Sequence, residues 1–294
     1  MENILNYYYN LIIKKIDEVD DSYYIYTDDG LYILNKLIIE VSELERIINY
    51  LNNTKEPYHL LVLNKDKELF TLIEEEKYVL FKVRCDLNKE INPLLFSSYI
   101  LNGDYNWSDV WSKRIDYYET QLNEVVNDVN VFYAMNYYIG LTENAISYYN
   151  NLIDMYGSGE LIYAISHRRI TSPIKAISYY NPANMIIDLN VRDIAEYIKM
   201  SFFEDILTDS EILTIVNNLN FNNIMANMFL VRLIYPSYFF NLYDEYIESR
   251  EVNKKMFLYM KKSHEYESLI TKIYSRLSIK NDIKTYMWIF KVQR

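Results

Sequence analysis

Hydrophobic and polar residues alternate along the first part of the chain, as strands with one buried face require. The predicted strands cover residues 23–27, 31–37, 59–64, 69–74 and 78–84. Asp28-Asp29-Gly30 separates the first two strands, and Asp-Gly between two β-prone runs is a strong hairpin signal. The pattern therefore predicts a small antiparallel sheet at the start of the chain.

Two helices are predicted beside this sheet. The first covers residues 2–16 and precedes the strands. In the second, residues 40–51, apolar side chains recur at helical spacing, which places them on one face. Ser42 is predicted to cap this second helix, with Glu45 as its capping-box partner. The sheet is thus expected to carry one helix.

The remainder of the chain has a mainly helical pattern. The predicted helices cover residues 107–125, 141–156, 193–203, 210–219, 222–235, 237–249 and 266–277. Residues 157–190 interrupt this series and contain two short predicted strands, 161–165 and 185–189. Trp107 and Trp111, one helical turn apart, are expected to anchor the core of this part.

Together the two patterns predict an α+β fold with two lobes. Residues 1–88 are expected to form a small β-rich lobe, and residues 89–294 a larger, mostly helical lobe. Residues 157–193 are the irregular segment of the helical lobe. This segment also holds the polar residues that suggest chemistry.

Composition argues against several classes of function. A formal net charge of −11 does not suit a surface for nucleic acid or anionic lipid, because phosphate binding needs a basic face. The lone Cys85 cannot form an intrachain disulfide, and three histidines are few for a zinc cluster. Neither a signal peptide nor an apolar run of about 18 residues is apparent. We therefore expect a cytoplasmic protein with no membrane or nucleic-acid partner.

Glycine is scarce, with five residues in a chain of 294. Loops that wrap phosphate use glycine because it permits positive φ and a close approach of the backbone. The sequence contains neither the Gly-x-Gly-x-x-Gly nor the Gly-x-x-x-x-Gly-Lys-Ser/Thr pattern. A standard nucleotide-binding loop is therefore not expected.

Three stretches carry a resemblance to a known family. They are Asn136 to Ile146 in the central helix, Ile165-Ser-His-Arg-Arg-Ile170, and Asp188-Leu-Asn-Val-Arg-Asp193 with the Ile-Ala-Glu-Tyr that follows. They resemble the protein-kinase-like fold in its aminoglycoside/choline phosphotransferase branch. Within that branch the chain is most similar to the spore-coat kinase-like proteins of endospore-forming bacteria. The resemblance implies a role in spore formation.

In active members of this fold the loop reads His-Gly-Asp, with an asparagine about five residues further on. The aspartate accepts the proton of the attacking hydroxyl, and the asparagine and a later aspartate hold magnesium. By resemblance, His167 keeps the histidine position, Asp188 the metal position, and Asp193 matches an aspartate that braces the loop. Arg169 stands in place of the catalytic aspartate, and Ile174 in place of the asparagine.

This substitution changes the chemistry. A guanidinium group stays protonated, so Arg169 cannot act as a general base, and its charge opposes a magnesium ion. The strand that should offer a lysine to the phosphates offers Asn35, with Lys36 expected on the opposite face. The hairpin turn Asp28-Asp29-Gly30 is expected where the family places its glycine-rich loop. No catalytic residue is therefore predicted.

The remaining polar residues are predicted to form a vestigial cleft: His167, Arg168, Arg169, Asp188 and Asp193. The histidine is expected to be buried and hydrogen-bonded to a nearby carbonyl. The two carboxylates are expected to be neutralised by Arg168, Arg169 and Arg192. An alternative stays open, in which two of the arginines hold a phosphate or carboxylate group in an anion-binding cleft.

Three functions are compatible with the sequence. The leading hypothesis is a catalytically degenerate kinase-like scaffold or binding module in spore coat assembly, with unknown protein partners and no cofactor. The second is an atypical phosphotransferase that uses ATP and magnesium, with the metal on Asp188 and Glu143 or Asp154 as base. The third is a helical interaction domain with a small β cap, unrelated to the family.

Overall fold

A computed structural model describes residues 1–19, 22–55, 58–84, 86, 91–125 and 128–284. The chain divides into two compact units, of which the first contains Met1–Leu95 and Ile165–Ile187. The second contains Phe96–Ala164 and Asp188–Arg294. The predicted fold class is confirmed, since an antiparallel sheet forms the N-terminal region and helices dominate the rest. Ile165–Ile187 thus groups with the N-terminal region, whereas the sequence-based division assigned these residues to the helical lobe.

The N-terminal region consists of α1 (Glu2–Tyr9), β1 (Ile13–Val19), β2 (Ser22–Thr27), β3 (Gly30–Lys36), α2 (Val41–Leu51), β4 (Leu60–Val62), β5 (Thr71–Ile73) and β6 (Glu76–Lys82). Within the described residues these strands form one antiparallel sheet in the order β1-β2-β3-β6-β4, and β5 pairs with β6. The predicted hairpin is confirmed, with Thr27 opposite Gly30 across the turn.

Two local predictions in this region are wrong. The helix predicted over residues 2–16 ends at Tyr9, where Asn10 takes a left-handed conformation with φ 51°, and β1 follows. The ladder between β1 and β2, in which Ile16 lies opposite Ile25, outweighs the local helical signal. Ser42 does not cap α2, which begins at Val41 without a side-chain cap.

The central strands β3 and β6 are buried on both faces. Alternate residues of these strands point to opposite sides, and apolar side chains pack against each side. One face packs with Leu5 of α1 in a cluster with Ile25, Tyr32, Leu34, Ile73 and Leu80. The other face packs with Leu44 of α2 in a cluster with Leu37, Val79, Phe81 and Ala183. Full burial of one such Leu or Phe side chain contributes about 1.5–3 kcal/mol. The second cluster attaches the segment around Ala183 to the α2 side of the sheet.

The rest of the chain consists of β7 (Ile100–Leu101), α3 (Trp107–Val125), α4 (Val129–Tyr156), β8 (Tyr163–His167), α5 (Ala176–Tyr179), β9 (Met185–Leu189), α6 (Arg192–Phe203), α7 (Asp209–Asn218), α8 (Asn223–Ile234), α9 (Ser237–Ser249) and α10 (Lys254–Leu277). Short 3₁₀ turns precede β7, β8 and β9. A second sheet has the strand order β7-β8-β9. In the described part of the chain, no helix has the length and apolar character needed to cross a membrane.

The predicted helices are present, and two are longer than predicted. Helix α4 begins at Val129, because Asp128 caps it by accepting hydrogen bonds from Asn130 N and Val131 N at 2.8 and 3.2 Å. Helix α10 begins at Lys254, after the cap Asn253. Trp111 is buried in the core, as predicted, and stacks on Tyr235 with 4.4 Å between ring centroids.

Helix α8 is the most enclosed of these helices. Every residue from Ile224 to Ile234 is buried. A helix that is apolar on all sides belongs in the centre of a packed body. Arg232 is a charged residue within this buried helix, and a buried arginine needs a partner for its charge.

Candidate functional site

The loop between β8 and β9 carries the predicted catalytic-loop residues and belongs to the first unit. Backbone hydrogen bonding holds its two ends together, since Arg168 N donates to Asn184 O at 2.9 Å. Glu43 of α2 accepts a hydrogen bond from Ile187 N at 2.7 Å, which ties β9 to that helix. The loop is thus held by one backbone hydrogen bond between its ends and, at β9, by the side chain of Glu43.

His167 at the end of β8 is buried, with 2 % of its surface exposed. Its Nε2 lies 2.9 Å from the carbonyl oxygen of Tyr179, and its ring stacks on the Tyr179 ring at 4.3 Å. A carbonyl oxygen only accepts, so Nε2 carries the hydrogen in this contact. The prediction of a buried, carbonyl-bonded histidine is confirmed.

A second histidine holds the same segment. His59 Nε2 donates to Ile177 O at 2.8 Å, and His59 N donates to Tyr180 O at 3.1 Å. Burial lowers the pKa of the His59 imidazole, although the hydrogen bond to Ile177 opposes this shift. Sequence reasoning missed His59, because nothing near it in the chain points to a partner more than 100 residues away.

Asn35 of β3 takes the place of the expected lysine and is buried. Its Oδ1 accepts hydrogen bonds from Ser22 Oγ at 3.0 Å and from Asn181 Nδ2 at 3.1 Å. Lys36 extends to Glu76, with 2.8 Å between its Nζ and Oε1 of Glu76. The residue predicted to stand at the lysine position is therefore a neutral amide that connects the sheet to the loop.

The hairpin turn Asp28-Asp29-Gly30 connects β2 to β3. Asp29 Oδ2 accepts hydrogen bonds from Lys82 Nζ and Tyr32 Oη, each at 2.7 Å, on this turn. Its match to the glycine-rich loop of the family stays a prediction. Asp20 and Asp21, which separate β1 from β2 in the chain, are outside the described residues.

A cavity of about 340 Å³ lies on the α2 side of the first sheet, wholly within the first unit. Its lining comes from β1–β3, the segment after β3 and the β8–β9 loop: Val19, Ser22, Tyr24, Ile33, Asn35, Lys36, Ile38, Arg168, Arg169, Thr171, Ser178, Asn181, Ala183 and Asn184. Arg168 is half-buried and Arg169 is exposed. The structure thus brings two predicted residues together at one cavity.

Counting forward from Arg169 assigned the asparagine position to Ile174, and this assignment stays a prediction. Helix α5 follows Ile174 within the same loop. Ile174 lines a small adjoining cavity of about 30 Å³. The asparagine that directly precedes β9 is Asn184, whose Nδ2 donates to Ser178 O and Oγ at 3.1 Å. Its signal in the sequence is the Asn-Pro-Ala-Asn turn before β9.

Asp188 belongs to the second unit and is fully buried near the end of β9. Its Oδ2 accepts hydrogen bonds from Arg192 Nη1 at 2.6 Å and from Arg232 Nη2 at 2.8 Å. Its Oδ1 accepts one from Leu189 N at 2.6 Å. The predicted neutralisation by Arg192 is confirmed, whereas the one predicted from Arg169 is wrong, because Arg169 forms no ion pair with any described residue. Arg232 is a partner that the sequence did not reveal.

Further charges extend this buried network. Glu196 of α6 pairs with Lys199 at 2.9 Å and accepts a hydrogen bond from Ser237 Oγ at 2.7 Å. Burial raises the pKa of Glu196, but Lys199, Arg232 and Arg192 together lower it to about 2. Burial likewise lowers the pKa of Arg192, and Asp188 and Glu196 raise it above its ordinary value. Glu196 therefore remains ionised at neutral pH.

Aromatic rings cover the arginines of this network. The guanidinium carbon of Arg232 lies 4.7 Å from the centroid of the Trp107 ring and 5.7 Å from that of Trp111. Arg192 lies 5.6 Å from the Trp107 centroid. Cation–π contact favours arginine at a desolvated site of this kind. The tryptophans predicted as core anchors thus also enclose the charges.

The arrangement around Asp188 does not suit magnesium. A magnesium ion needs oxygen lone pairs in near-octahedral geometry, and both Asp188 oxygens already accept from N–H groups. Two guanidinium groups would also repel the ion. Among the described residues, no three His, Cys, Asp or Glu side chains are grouped closely enough to hold a metal.

The predicted cleft residues fall in both units. His167, Arg168 and Arg169 lie on one loop of the first unit, whereas Asp188 and Asp193 lie in the second. Asp193 is buried in the first turn of α6, where the helix dipole favours a carboxylate. A single vestigial cleft made of all five residues stays a prediction.

The fold and the loop define a class of protein. An antiparallel sheet carrying α2, followed by a helical region with a histidine and an aspartate on two short strands, is the kinase-like phosphotransferase fold. An aminoglycoside phosphotransferase from Alicyclobacillus acidocaldarius has this fold with a TM-score of 0.55 and 8 % identity, over 91 % of this chain and 93 % of its own. A spectinomycin phosphotransferase gives a TM-score of 0.55 and 11 % identity, over 93 % and 96 %.

The chain belongs to the family described as Spore coat putative kinase YutH, which matches residues 97–273. It is also similar to the endospore coat-associated protein YutH of Bacillus subtilis, with 24 % identity over 85 % of this chain and 84 % of that protein. The resemblance inferred from the three sequence stretches is confirmed.

Proposed function

We propose that the protein is a catalytically degenerate kinase-like protein that acts as a scaffold or binding module in the spore coat. The coat setting is supported by the description of its family and of its Bacillus subtilis relative. The observation that carries the loss of catalysis is the set of contacts around Asp188, where both carboxylate oxygens accept hydrogen bonds from protein N–H groups.

Phosphoryl transfer depends mainly on positioning and on compensation of charge. It requires a carboxylate that orients the hydroxyl, a metal at the phosphates and a lysine that contacts them. This chain carries Arg169, the arginine-bound Asp188 and the neutral Asn35 at the matching positions. All three differences support the proposal that the protein acts through contacts and uses no cofactor.

The catalytic part of the proposal is tested with the purified full-length chain, γ-labelled ATP and either magnesium or manganese. We expect no transfer to protein or aminoglycoside substrates above the level of the Asp188→Asn variant and of heat-denatured protein. A spectinomycin phosphotransferase serves as the positive control for the assay. Transfer by the wild type that the variant lacks would overturn the proposal.

The coat part is tested with fluorescent fusions of the wild type and of Arg169→Ala in sporulating Bacillus subtilis. Both fusions are expected to collect at the surface of the forespore. A scaffold performs no catalysis, so a substitution in the catalytic-loop segment should not change where the protein localises. Fluorescence spread evenly through the cell for the wild type would contradict a coat role. If only the Arg169→Ala fusion failed to localise, coat localisation would depend on the loop, contrary to this expectation.

An atypical ATP- and magnesium-dependent phosphotransferase is the second candidate. It is favoured by the retention of Asp188 at the end of β9 and by the cavity of the first unit. Its proposed bases, Glu143 and Asp154, are exposed residues of α4 and line neither of the two cavities described above. In the transfer assay, activity that is lost in Glu143→Gln or Asp154→Asn would favour this candidate.

A further inference from the structure

We propose that the cavity of the first unit binds a small, multiply charged oxyanion through Arg168 and Arg169, without a metal ion. The ligand class is a compact molecule with phosphoryl or carboxylate groups. This inference goes beyond the proposed scaffold role, since a coat scaffold needs no small ligand.

The charge of the cavity lining is opposite to that of the whole chain. The chain has a formal net charge of −11, with 41 acidic and 30 basic residues. Its described cavity lining contains two arginines, Arg168 and Arg169, and no carboxylate, whereas the lining residue Lys36 is ion-paired with Glu76. A concave wall with one sign of charge concentrates ligands of the opposite sign. The local field of the lining therefore favours an anion.

Arg169 is the anchor of the proposed site. Its side chain is exposed, lines both the main cavity and the smaller adjoining one, and forms no ion pair within the described ranges. A guanidinium group offers five N–H donors in a planar fork that matches phosphate and carboxylate oxygens. Arg168 is its neighbour in the chain and lines the same cavity. Arg168 therefore adds positive charge to the wall that carries the Arg169 fork.

Uncharged donors complete the lining. Ser178 Oγ accepts a hydrogen bond from Asn184 Nδ2 at 3.1 Å, so the hydroxyl hydrogen of Ser178 is a further donor. Thr171 adds a second hydroxyl. A volume of about 340 Å³ lies at the lower end of the range of about 300–1,000 Å³ for small-molecule sites. The cavity thus suits a compact anion.

The described lining of the cavity does not suit a metal ion. It contains no carboxylate, and Asn35 Oδ1 already accepts two hydrogen bonds. The positive charge for the ligand therefore comes from arginine side chains. Arginine holds an oxyanion with directional hydrogen bonds and needs no divalent ion for the purpose.

The test uses isothermal titration calorimetry of the full-length chain in a metal-free buffer that contains no phosphate. The probes are pyrophosphate and citrate, at an ionic strength held constant with sodium chloride. Binding of pyrophosphate alone assigns phosphoryl groups to the site, and binding of citrate alone assigns carboxylates. Binding of both assigns a general polyanion site, and each of these three results supports the proposal.

Variants locate the binding. Arg169→Gln is expected to weaken the affinity at least about tenfold, because a hydrogen bond to a charged group contributes about 1.5–3 kcal/mol. Arg169→Lys should lose less, since it keeps the charge but not the fork. Arg276→Gln removes one exposed arginine outside the cavity and should change the affinity less than about twofold. Circular dichroism verifies that each variant is folded.

Three results would overturn the proposal. The first is that neither probe binds to the wild type. The second is an equal loss of affinity in Arg169→Gln and Arg276→Gln, which would reduce the effect to overall charge. The third is binding of pyrophosphate only when magnesium is added.

Discussion

The carboxylate of Asp188 and the guanidinium group of Arg232 are 44 residues apart in the chain and 2.8 Å apart in the structure. Arg232 lies on α8, where the neighbouring residues are buried, and Trp107 covers its guanidinium carbon at 4.7 Å. Charges removed from water in this way are costly unless they are paired and hydrogen-bonded. The pair therefore joins β9 to helix α8 of the second unit through the residue predicted to keep the metal position of the family.

Arg232→Met is expected to destabilise the protein by about 3–5 kcal/mol, because it leaves Asp188 buried with one cation fewer. Urea denaturation measures this change. Asp188→Asn combined with Arg232→Met should cost less than the sum of the two single variants, since the residues are in direct contact. Arg276→Met, on an exposed helix position, should change stability by less than about 0.5 kcal/mol. If the double variant lost as much stability as the two single variants together, Asp188 and Arg232 would not be energetically coupled.

Arg169→Asp restores a carboxylate at the catalytic position, yet we expect no phosphotransfer from it. The contacts of Asp188 with Arg192 and Arg232 still prevent magnesium from reaching its oxygens, and Asn35 still stands in place of the lysine. The measurement is transfer of label from ATP in the presence of magnesium. Turnover that appears in this variant and not in Arg276→Asp would show that the buried pairing does not prevent metal binding.

Glu196 is expected to contribute to the loss of stability in acid. Its pKa is held at about 2 in the folded protein against 4.5 in a free side chain, so the folded state binds fewer protons than the unfolded state. The stabilisation is present above pH 4.5 and is lost as the pH falls toward about 2. This shift corresponds to about 3 kcal/mol.

Glu196→Gln tests this dependence. The stability difference between wild type and variant should be largest above pH 4.5 and should shrink toward zero near pH 2. Urea denaturation at a series of pH values measures the difference. A difference that stays constant over this window would contradict the assigned pKa.

His59 is expected to make the protein sensitive to pH in a milder range. Burial lowers the pKa of the folded imidazole below 6.5, so the unfolded state binds the proton more readily and stability falls as the pH decreases below 6.5. His59→Gln should reduce this slope and cost about 1–3 kcal/mol at neutral pH through the lost hydrogen bond to Ile177.

His264 supplies the matched control. Its side chain is 95 % exposed, so His264→Gln should leave both the stability and its slope with pH nearly unchanged. Denaturant titrations between pH 5 and pH 8 compare the two variants. If His59→Gln and His264→Gln changed the stability and its pH dependence equally, burial of His59 would not be the cause of the pH dependence.

Local patterns account for most of the architecture. The hairpin around Gly30, the helix over Val41–Leu51 and the helix Ser237–Ser249 follow from turn chemistry and apolar spacing, both of which act between near neighbours. The strand predicted over residues 185–189 is present as β9. Family membership was also accessible, because it depends on residues that lie close together along the chain.

Errors arose where a distant partner determines the structure. The segment Ile13–Val19 forms a strand because it pairs with β2, although the local pattern favoured a longer helix.

The amino-acid sequence was sufficient to establish the α+β architecture, the family and the arginine at position 169, because these depend on periodicity and residue chemistry along neighbouring positions. Folding in three dimensions selected the partners. It paired Asp188 with Arg232, brought His59 and His167 to carbonyl oxygens of the same segment, residues 177–180, and placed Arg168 and Arg169 at one cavity of an acidic chain. Such contacts join residues far apart in sequence, and their free energy comes from shared burial, which no local window of the chain contains.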